Sequence, residues 1–267
     1  MITQSRPKSS CPRSPLLSTP VAPGGASERR QIRHPVMVQR WEQLSFLHWP
    51  YDPETVRRLL PPDLEVDTFD GAAWIGLIPF RLTIMVPGLA PMPWASAFAE
   101  INLRTYVRGP DGERGIWFLS LEASRLGAVV AARAWYRLPY MWSWMRIERR
   151  GRAITYRSGR RWPGGSTRGH ATELVEIEVG DDIEPSALCP RDVFLTARWR
   201  LYSPLGLGLA ATQIHHQPWS LKQATVRRLF DDLITSAGLP APGSPPLALF
   251  SAGVTTRFDR RERLPLP

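Results

Sequence analysis

Apolar and polar side chains alternate along most of the chain in the manner of β-strands. Runs of this pattern are separated by turn-forming Gly, Pro and Asp residues, and successive runs follow in meander order. This order favours an α+β, mainly β fold, with an antiparallel β-barrel-like sheet and flanking helices, over a doubly wound parallel sheet. The predicted strands cover residues 64–69, 73–86, 97–107, 115–122, 142–148, 153–157, 172–179, 207–215, 224–229 and 247–257.

Three segments interrupt the strand pattern with helical signals. Asp52 is expected to cap the first helix, because its short side chain can accept a hydrogen bond from the first turn, and Pro53 fits the first helical position. An alanine-rich segment at residues 126–135 favours a second helix that ends before Pro139. A third helix is predicted near residues 191–198.

Composition divides the chain into one domain and two ends. Residues 1–36 are rich in Pro, Ser and Arg without periodicity, which predicts a disordered tail, and the polar residues 261–267 are predicted to be disordered as well. Residues 37–260 form a single predicted domain, since 267 residues with 43% hydrophobic content suffice for one substantial core. Two alternatives stay open for Met37: it is the true start, or the tail is genuine and has no function.

Hydropathy and cysteine usage predict a soluble protein of the cytoplasm. No segment approaches the roughly 18 to 20 consecutive apolar residues that span a bilayer, and residues 1–25 lack the pattern of a signal peptide. Cys11 and Cys189 are too few and too scattered for a disulfide framework or a zinc site. We therefore expect no membrane partner, whereas self-association into a homo-oligomer stays open.

The formal net charge of +10 raises the alternative of a nucleic-acid-binding protein. The basic residues are almost all arginines, with Lys8 and Lys222 as the only lysines, and they occur in short, dispersed clusters. This distribution fits the codon bias of a GC-rich genome, so nucleic-acid binding is disfavoured. The rival function is a non-enzymatic interaction or nucleic-acid-binding protein that uses its arginine-rich surface.

The strand predicted at residues 97–107 carries the most informative polar pattern. Its period of two places Glu100, Asn102 and Arg104 on one face and apolar side chains on the other. Two interpretations stay open: a solvated outer face, or a polar row that lines the interior. In the interior, Glu100 would need a partner such as Arg104 to offset the loss of its hydration.

Three further segments contain polar residues that could take part in a site. Ser120 and Glu122 lie together at the end of an apolar strand, either as a satisfied strand end or as part of a site. Arg133 stands among alanines and aromatic residues, so it either reaches solvent or pairs with an acid inside. His48 lies in an aromatic segment, and a metal site that joins it to His216 and Glu100 has no spacing signature. With no dinucleotide, P-loop or hydrolase motif present, the sequence predicts neither a metal nor a cofactor.

Short motifs in a fixed order cover much of the chain. They are Gln39-Arg40-Trp41, Phe46-Leu47-His48-Trp49, Leu60-Pro61-Pro62, Phe69-Asp70-Gly71-Ala72-Ala73-Trp74, Pro79-Phe80-Arg81, Asn102-Leu103-Arg104-Thr105-Tyr106-Val107, Trp117-Phe118-Leu119-Ser120-Leu121, Ala132-Arg133, Leu138-Pro139-Tyr140 and His216-Gln217-Pro218-Trp219. In this order, from about Val38 to Phe258, the chain resembles the YqjF-like family (domain of unknown function 2071). The resemblance implies an acetoacetate decarboxylase-like fold with an internal pocket, and the family itself has no established activity.

The resemblance extends more distantly to the acetoacetate decarboxylases. It implies that this chain lacks the lysines on which their reaction depends. It implies that Glu100 corresponds to their pocket glutamate and Arg133 to the arginine of their Gly-Arg-Glu segment. Their paired lysines, of which one forms an imine with the substrate, align with Tyr140 and Met141. A phenol cannot form an imine, so the resemblance implies a pocket without Schiff-base catalysis.

Together these observations predict a small-molecule-binding protein whose enzymatic status and catalytic residues stay open. Arg133 is expected to hold an anionic group, Glu100 to pair with Arg133 or act as an acid or base, and Tyr140 to donate a hydrogen bond. The predicted ligand-binding residues are Glu100, Arg104, Arg133, Tyr140, Ser120, Glu122 and His48.

Overall fold

One mixed β-sheet organises the part of the chain that the structure, a computed structural model, describes: residues 31–88, 97–163 and 171–265. Its twelve strands lie in the order β10-β9-β5-β6-β7-β8-β11-β12-β1-β3-β4-β2. β4 also pairs with β5, and β10 with β12, so the sheet curls back on itself. The strands are β1 (Met37–Tyr51), β2 (Glu65–Val66), β3 (Ala73–Met85), β4 (Ala97–Arg108), β5 (Arg114–Ala123), β6 (Tyr140–Arg150), β7 (Ala153–Trp162), β8 (Thr172–Asp182), β9 (Arg200–Leu205), β10 (Gly208–His215), β11 (Leu221–Asp231) and β12 (Leu247–Arg263).

Two parallel pairings correct the prediction of an antiparallel sheet. β5 runs parallel to β6, with Leu121 opposite Tyr140, and parallel to β9, with Ile116 opposite Leu201. A parallel pair needs a crossover connection rather than a tight turn. Between β5 and β6 that crossover is the helix Leu126–Tyr136, so the helix itself accounts for the direction of β6.

Four short α-helices lie between strands of the described residues: α1 (Pro53–Arg57), α2 (Leu126–Tyr136), α3 (Pro190–Thr196) and α4 (Leu233–Ser236). The Asp52 cap is confirmed, since its carboxylate accepts a hydrogen bond from the Thr55 amide at 2.8 Å. The second and third predicted helices agree with α2 and α3 to within two residues. None of the helices in the described ranges is both long and apolar enough to cross a membrane.

Some strand boundaries differ from the prediction. The predicted strand at residues 64–69 is reduced to β2, whereas β1 and β9 were not predicted as strands. β12 runs to Arg263, three residues past the predicted end of the domain at 260, because it pairs with β10 as far as this residue. Within the predicted tail, Ile32 is buried and the Val36 amide donates to the Phe258 carbonyl at 2.9 Å. Residues 1–30 of that tail lie outside the described residues.

β4 separates two apolar cores. Ile101 and Leu103 pack with strands β1, β3, β7 and β8, whereas Phe98 packs with Phe80 and neighbours from α2 on the opposite face. A strand that is buried on both faces has little contact with water along its whole length. Polar side chains on such a strand therefore need partners within the protein.

Candidate functional site

The polar row on β4 is buried. Glu100, Asn102 and Arg104 are only 3%, 5% and 5% exposed, so the interpretation as a solvated outer face is wrong. Glu100 lies opposite Phe80 of β3, and Arg104 lies opposite Gly76. Paired residues of neighbouring strands point to the same side of a sheet, so these positions share one face, which we call the Glu100 face.

Glu100 has one polar partner among the described residues, and that partner is neutral. The Tyr140 hydroxyl donates a hydrogen bond to Oε2 of Glu100 at 3.0 Å. No ion pair to Glu100 is formed in the described ranges. Burial raises the pKa of Glu100 to about 8, although the hydrogen bond from Tyr140 acts in the opposite direction.

Tyr140 begins β6 and keeps its proton. Its pKa is raised well above the ordinary value by burial and by the neighbouring Glu100 charge. Its backbone NH donates to the Leu138 carbonyl at 2.8 Å, and the Leu121 amide donates to the Pro139 carbonyl at 3.1 Å. These two bonds close the turn after α2. The pair can therefore present a hydroxyl donor beside a carboxyl that titrates near neutral pH.

Arg133 does not form the ion pair with Glu100 that the sequence suggested. Its guanidinium donates to the backbone carbonyl of Tyr140 at 2.7 Å and lies 5.1 Å from the centre of the Trp162 ring. Arg133 belongs to the last turn of α2 and is half-buried, so it reaches this carbonyl and the ring while part of it stays in solvent. It holds the backbone of Tyr140, whose hydroxyl meets Glu100.

A second polar cluster lies further along the same face. The Tyr106 hydroxyl donates to the Leu195 carbonyl at 2.6 Å, and the His48 Nε2 lies 2.6 Å from that hydroxyl oxygen. Because a hydroxyl has one proton and the carbonyl only accepts, His48 carries its proton on Nε2 and donates it to Tyr106. The pKa of His48 is well below its ordinary value because of burial and the charges of Arg104 and Arg191. His48 is thus neutral at pH 7.

Gly76 makes room for this cluster. It lies between His48 on β1 and Arg104 on β4 in the sheet. A Cβ at this position would lie 2.9 Å from His48 Nε2 and 3.4 Å from the Tyr106 hydroxyl. The absence of a side chain at Gly76 therefore lets the imidazole lie across the strand and reach Tyr106.

Aromatic rings line the rest of the Glu100 face. Trp41 lies 5.7 Å from Phe80 and stacks at 6.0 Å on Trp219, measured between ring centres. His216 lies 4.8 Å from Trp219, and its pKa is lowered to about 4, chiefly by burial. Flat rings around a few polar groups are typical of sites for small organic molecules.

Glu122 points away from this face. It lies opposite Ile101 of β4, whose side chain belongs to the other core, whereas Ala123 lies opposite Glu100. Arg160 binds it through Nη2 to Oε1 at 2.5 Å and Nε to Oε2 at 3.2 Å, and the Ser143 hydroxyl donates to it at 2.6 Å. Glu122 therefore forms a buried ion pair with Arg160, and both of its carboxylate oxygens accept hydrogen bonds. This ion pair is separate from Glu100.

Ser120 is also on this opposite face, because it lies opposite Leu103. Its hydroxyl is buried and has no hydrogen-bond partner among the described residues. An acid pair that the sequence analysis missed lies in the same core: Glu173 faces Asp231 across β8 and β11. Burial and the Asp231 charge raise the pKa of Glu173 well above its ordinary value.

The seven predicted residues are thus divided between two faces. Glu100 and Tyr140 meet, and Arg133 binds the Tyr140 backbone. Arg104 and His48 meet through Tyr106, whereas Ser120 and Glu122 lie on the opposite face of the sheet. The sequence analysis did not select Tyr106 as a site residue. Tyr106 lies two residues after Arg104, so the strand period of two places both side chains on the same face. Arg191 was missed because no local pattern connects α3 to β4.

Two surface cavities lie beside the middle of β5. One, of about 260 Å³, is lined in part by Leu119, Arg137 and Pro139, and the other, of about 400 Å³, by residues around Pro61 and Leu207. Neither has any of the seven predicted residues in its wall. In the described ranges, no group of three His, Cys, Asp or Glu side chains is placed to hold a metal ion.

Comparisons with solved structures agree with this architecture. An acetoacetate decarboxylase-like enzyme from Sphingomonas wittichii RW1 is 12% identical, with a TM-score of 0.58 over 87% of this chain and 94% of its own. The enduracididine biosynthesis enzyme MppR, solved in complex with pyruvate, is 14% identical, with a TM-score of 0.58 over 87% and 91%. Acetoacetate decarboxylase from Legionella pneumophila is 11% identical, with a TM-score of 0.59 over 87% and 88%. The fold is therefore acetoacetate decarboxylase-like.

Sequence comparison identifies the family. The uncharacterised protein YqjF of Bacillus subtilis (strain 168) is 38% identical over 213 residues, which cover 79% of this chain and 86% of that protein. The profile of the DUF2071 family, described as an uncharacterised conserved protein, matches residues 38–255. These two matches confirm the resemblance drawn from the ordered motifs, and the chain belongs to the DUF2071 family.

Proposed function

We propose that the chain binds a small organic molecule with a carbonyl or carboxylate group on the Glu100 face. In this proposal Glu100 exchanges a proton with the ligand, Tyr140 donates a hydrogen bond to it, and no covalent bond to the protein is formed. The single observation that carries the proposal is the buried carboxyl of Glu100, whose one polar partner in the described residues is a neutral hydroxyl at 3.0 Å.

The proton affinity of Glu100 supports an acid–base role. A carboxyl whose pKa is about 8 is largely protonated at pH 7 yet loses its proton readily, which is the property of an efficient general acid or base. An ordinary structural carboxyl in the interior would be expected to have a cation beside it, as Glu122 has in Arg160. Glu100 has none in the described residues, and its burial without one is costly for folding.

The position of the lysines supports a non-covalent site. Lys222, on β11, has its ammonium group 2.6 Å from Asp182 and 31% of its side chain exposed. Lys8 lies outside the described residues. Tyr140 stands beside Glu100, and a phenol cannot act as the amine of an imine.

Pyruvate is the first molecule to test, because MppR binds it within the same fold. We expect pyruvate to bind the purified protein, as measured by saturation-transfer NMR, and to leave no adduct in intact mass after borohydride reduction. Glu100→Leu and Tyr140→Phe should each weaken binding at least about tenfold, because each removes a polar group from the proposed site. Glu65→Leu and Tyr51→Phe, at an exposed strand and at a distant carbonyl contact, are the matched controls.

Two results would overturn the proposal. One is a stoichiometric borohydride adduct that maps to Lys222, which would make the protein an imine-forming enzyme. The other is pyruvate binding, or binding of a related small keto acid, that stays at the wild-type affinity in both Glu100→Leu and Tyr140→Phe.

A further inference from the structure

Arg104 is a buried cation with no acidic partner among the residues that the structure describes. Only two arginines of the described residues are buried, Arg104 and Arg198. Arg198 has Asp67 at 2.8 Å, as expected for a charge that has lost its hydration. Arg104 has no carboxylate within 4.0 Å in the described ranges, and its Nη2 donates only to the Leu195 carbonyl at 3.2 Å and the Tyr106 hydroxyl at 3.4 Å.

The surroundings of Arg104 add positive charge instead of neutralising it. Arg191 of α3 lies close enough to His48 for its charge to act on the imidazole, as does that of Arg104. In the described part of the chain, the only carboxylate that pairs with Arg191 belongs to Asp192, at 3.9 Å from Nε, and this Nε has no hydrogen-bond partner there. The end of the Glu100 face near His48 therefore carries a positive potential, which favours an anion.

Two buried polar atoms on this face have no hydrogen-bond partner within residues 31–88, 97–163 and 171–265. They are Nε of Arg104, a donor, and Oδ1 of Asn102, an acceptor. Asn102 and Arg104 are two positions apart on one strand, so their Cα atoms are separated by about 7 Å on the same side. A single molecule with an anionic group at one end and a hydroxyl or amino group nearby would meet both needs.

We infer that Arg104 binds the carboxylate of a small organic acid, and that Asn102 accepts a hydrogen bond from a hydroxyl or amino group of the same molecule. This inference rests on the proposed function, since it places the ligand on the Glu100 face. It adds the class of ligand, a hydroxy or amino acid rather than a neutral carbonyl compound, and it assigns the anion to Arg104 instead of Arg133. A planar guanidinium suits a carboxylate because its donors match the two oxygens.

The probe is 3-hydroxybutyrate, compared with its neutral amide, 3-hydroxybutyramide. We expect calorimetry to show that wild type binds the acid at least about tenfold more tightly than the amide. Arg104→Met should remove this preference, and Arg104→Lys should reduce it, because a lysine keeps the charge but not the planar fork. Arg146→Met is the matched control, since Arg146 is 68% exposed on β6, and it should behave like wild type.

Thermal unfolding of the ligand-free protein separates a binding role from a structural one. Arg104→Met should unfold at the wild-type temperature or higher, because methionine replaces an unpaired buried charge by an apolar side chain of similar length. A lower unfolding temperature with the preference for the acid intact would assign Arg104 to the fold and overturn the inference. Equal binding of acid and amide by wild type would also overturn it, and the proposed function would survive if pyruvate binding still depended on Glu100 and Tyr140.

Discussion

Glu100→Gln is expected to stabilise the protein at pH 8 by about 4 kcal/mol. The carboxyl has a pKa of about 8 in the folded chain and 4.5 when unperturbed, and a tenfold change in proton affinity corresponds to about 1.4 kcal/mol. Because the folded state binds this proton more tightly, stability falls as the pH rises from 4.5 to 8. Glutamine resembles the protonated carboxyl at every pH, so it avoids that loss.

Urea denaturation of wild type and Glu100→Gln at pH 5 and pH 8 measures this effect. The difference between the two proteins should be small at pH 5 and large at pH 8. Glu65→Gln, at an exposed position of β2, is the control and should change the free energy of unfolding by less than about 0.5 kcal/mol at both values. If Glu100→Gln destabilises the protein equally at both pH values, the fold requires the ionised form of Glu100. That result would contradict a raised pKa for this carboxyl.

Arg160→Met is expected to destabilise the protein by about 3 to 5 kcal/mol at pH 7, the second large effect. Arg160 makes two hydrogen bonds to the fully buried Glu122, at 2.5 and 3.2 Å. Removal of the guanidinium leaves an ionised carboxylate in the core, with the Ser143 hydroxyl as its remaining described donor. Denaturant unfolding of the variant measures the loss.

The double variant Glu122→Gln/Arg160→Met tests the cause of this loss. It should recover at least half of the stability, because the amide carries no charge that needs a partner. Arg227→Met is the matched control: Arg227 also binds a glutamate, Glu178, but both side chains are about half exposed, so the expected loss is below about 1 kcal/mol. A loss in Arg160→Met as small as in Arg227→Met would contradict the buried ion pair.

Period-two patterns predicted most of the strands and the common face of Glu100, Asn102 and Arg104. This was possible because side-chain direction along a strand depends only on local geometry. The cap at Asp52 was predicted for the same reason, since it involves residues of one turn. The sequence therefore identified the buried polar row of the candidate site and the cap of the first helix.

Contacts between distant strands could not be predicted in the same way. Glu122 lies behind β4 because of the register between β4 and β5, and a shift of one residue would have turned it to the Glu100 face. The sequence did not show that Arg133 would bind the Tyr140 carbonyl, because this depends on how α2 returns the chain to β6. β1 was missed as a strand because its residues Leu44–Trp49 are buried on both faces and do not alternate.

The burial of Arg104 without an acid has a similar origin. The sequence placed Glu100 and Arg104 on one face, which suggested that they pair. The structure directs the Arg104 guanidinium to Tyr106 and Leu195, further along the face and away from Glu100. A buried arginine without an acid in the described ranges and a buried carboxyl with a raised pKa, at separate points of one face, are thus a property of the fold. The proposed ligand lies between them.

The titration of the Glu100 carboxyl tests the central claim most directly. Carbon-detected NMR on protein labelled at the glutamate side-chain carboxyl can follow it, with the spectrum of Glu100→Gln to assign its resonance. We predict a titration midpoint near pH 8 that moves when pyruvate is added, because a ligand beside the carboxyl changes its proton affinity. A midpoint near 4.5 that is the same with and without pyruvate would contradict the account.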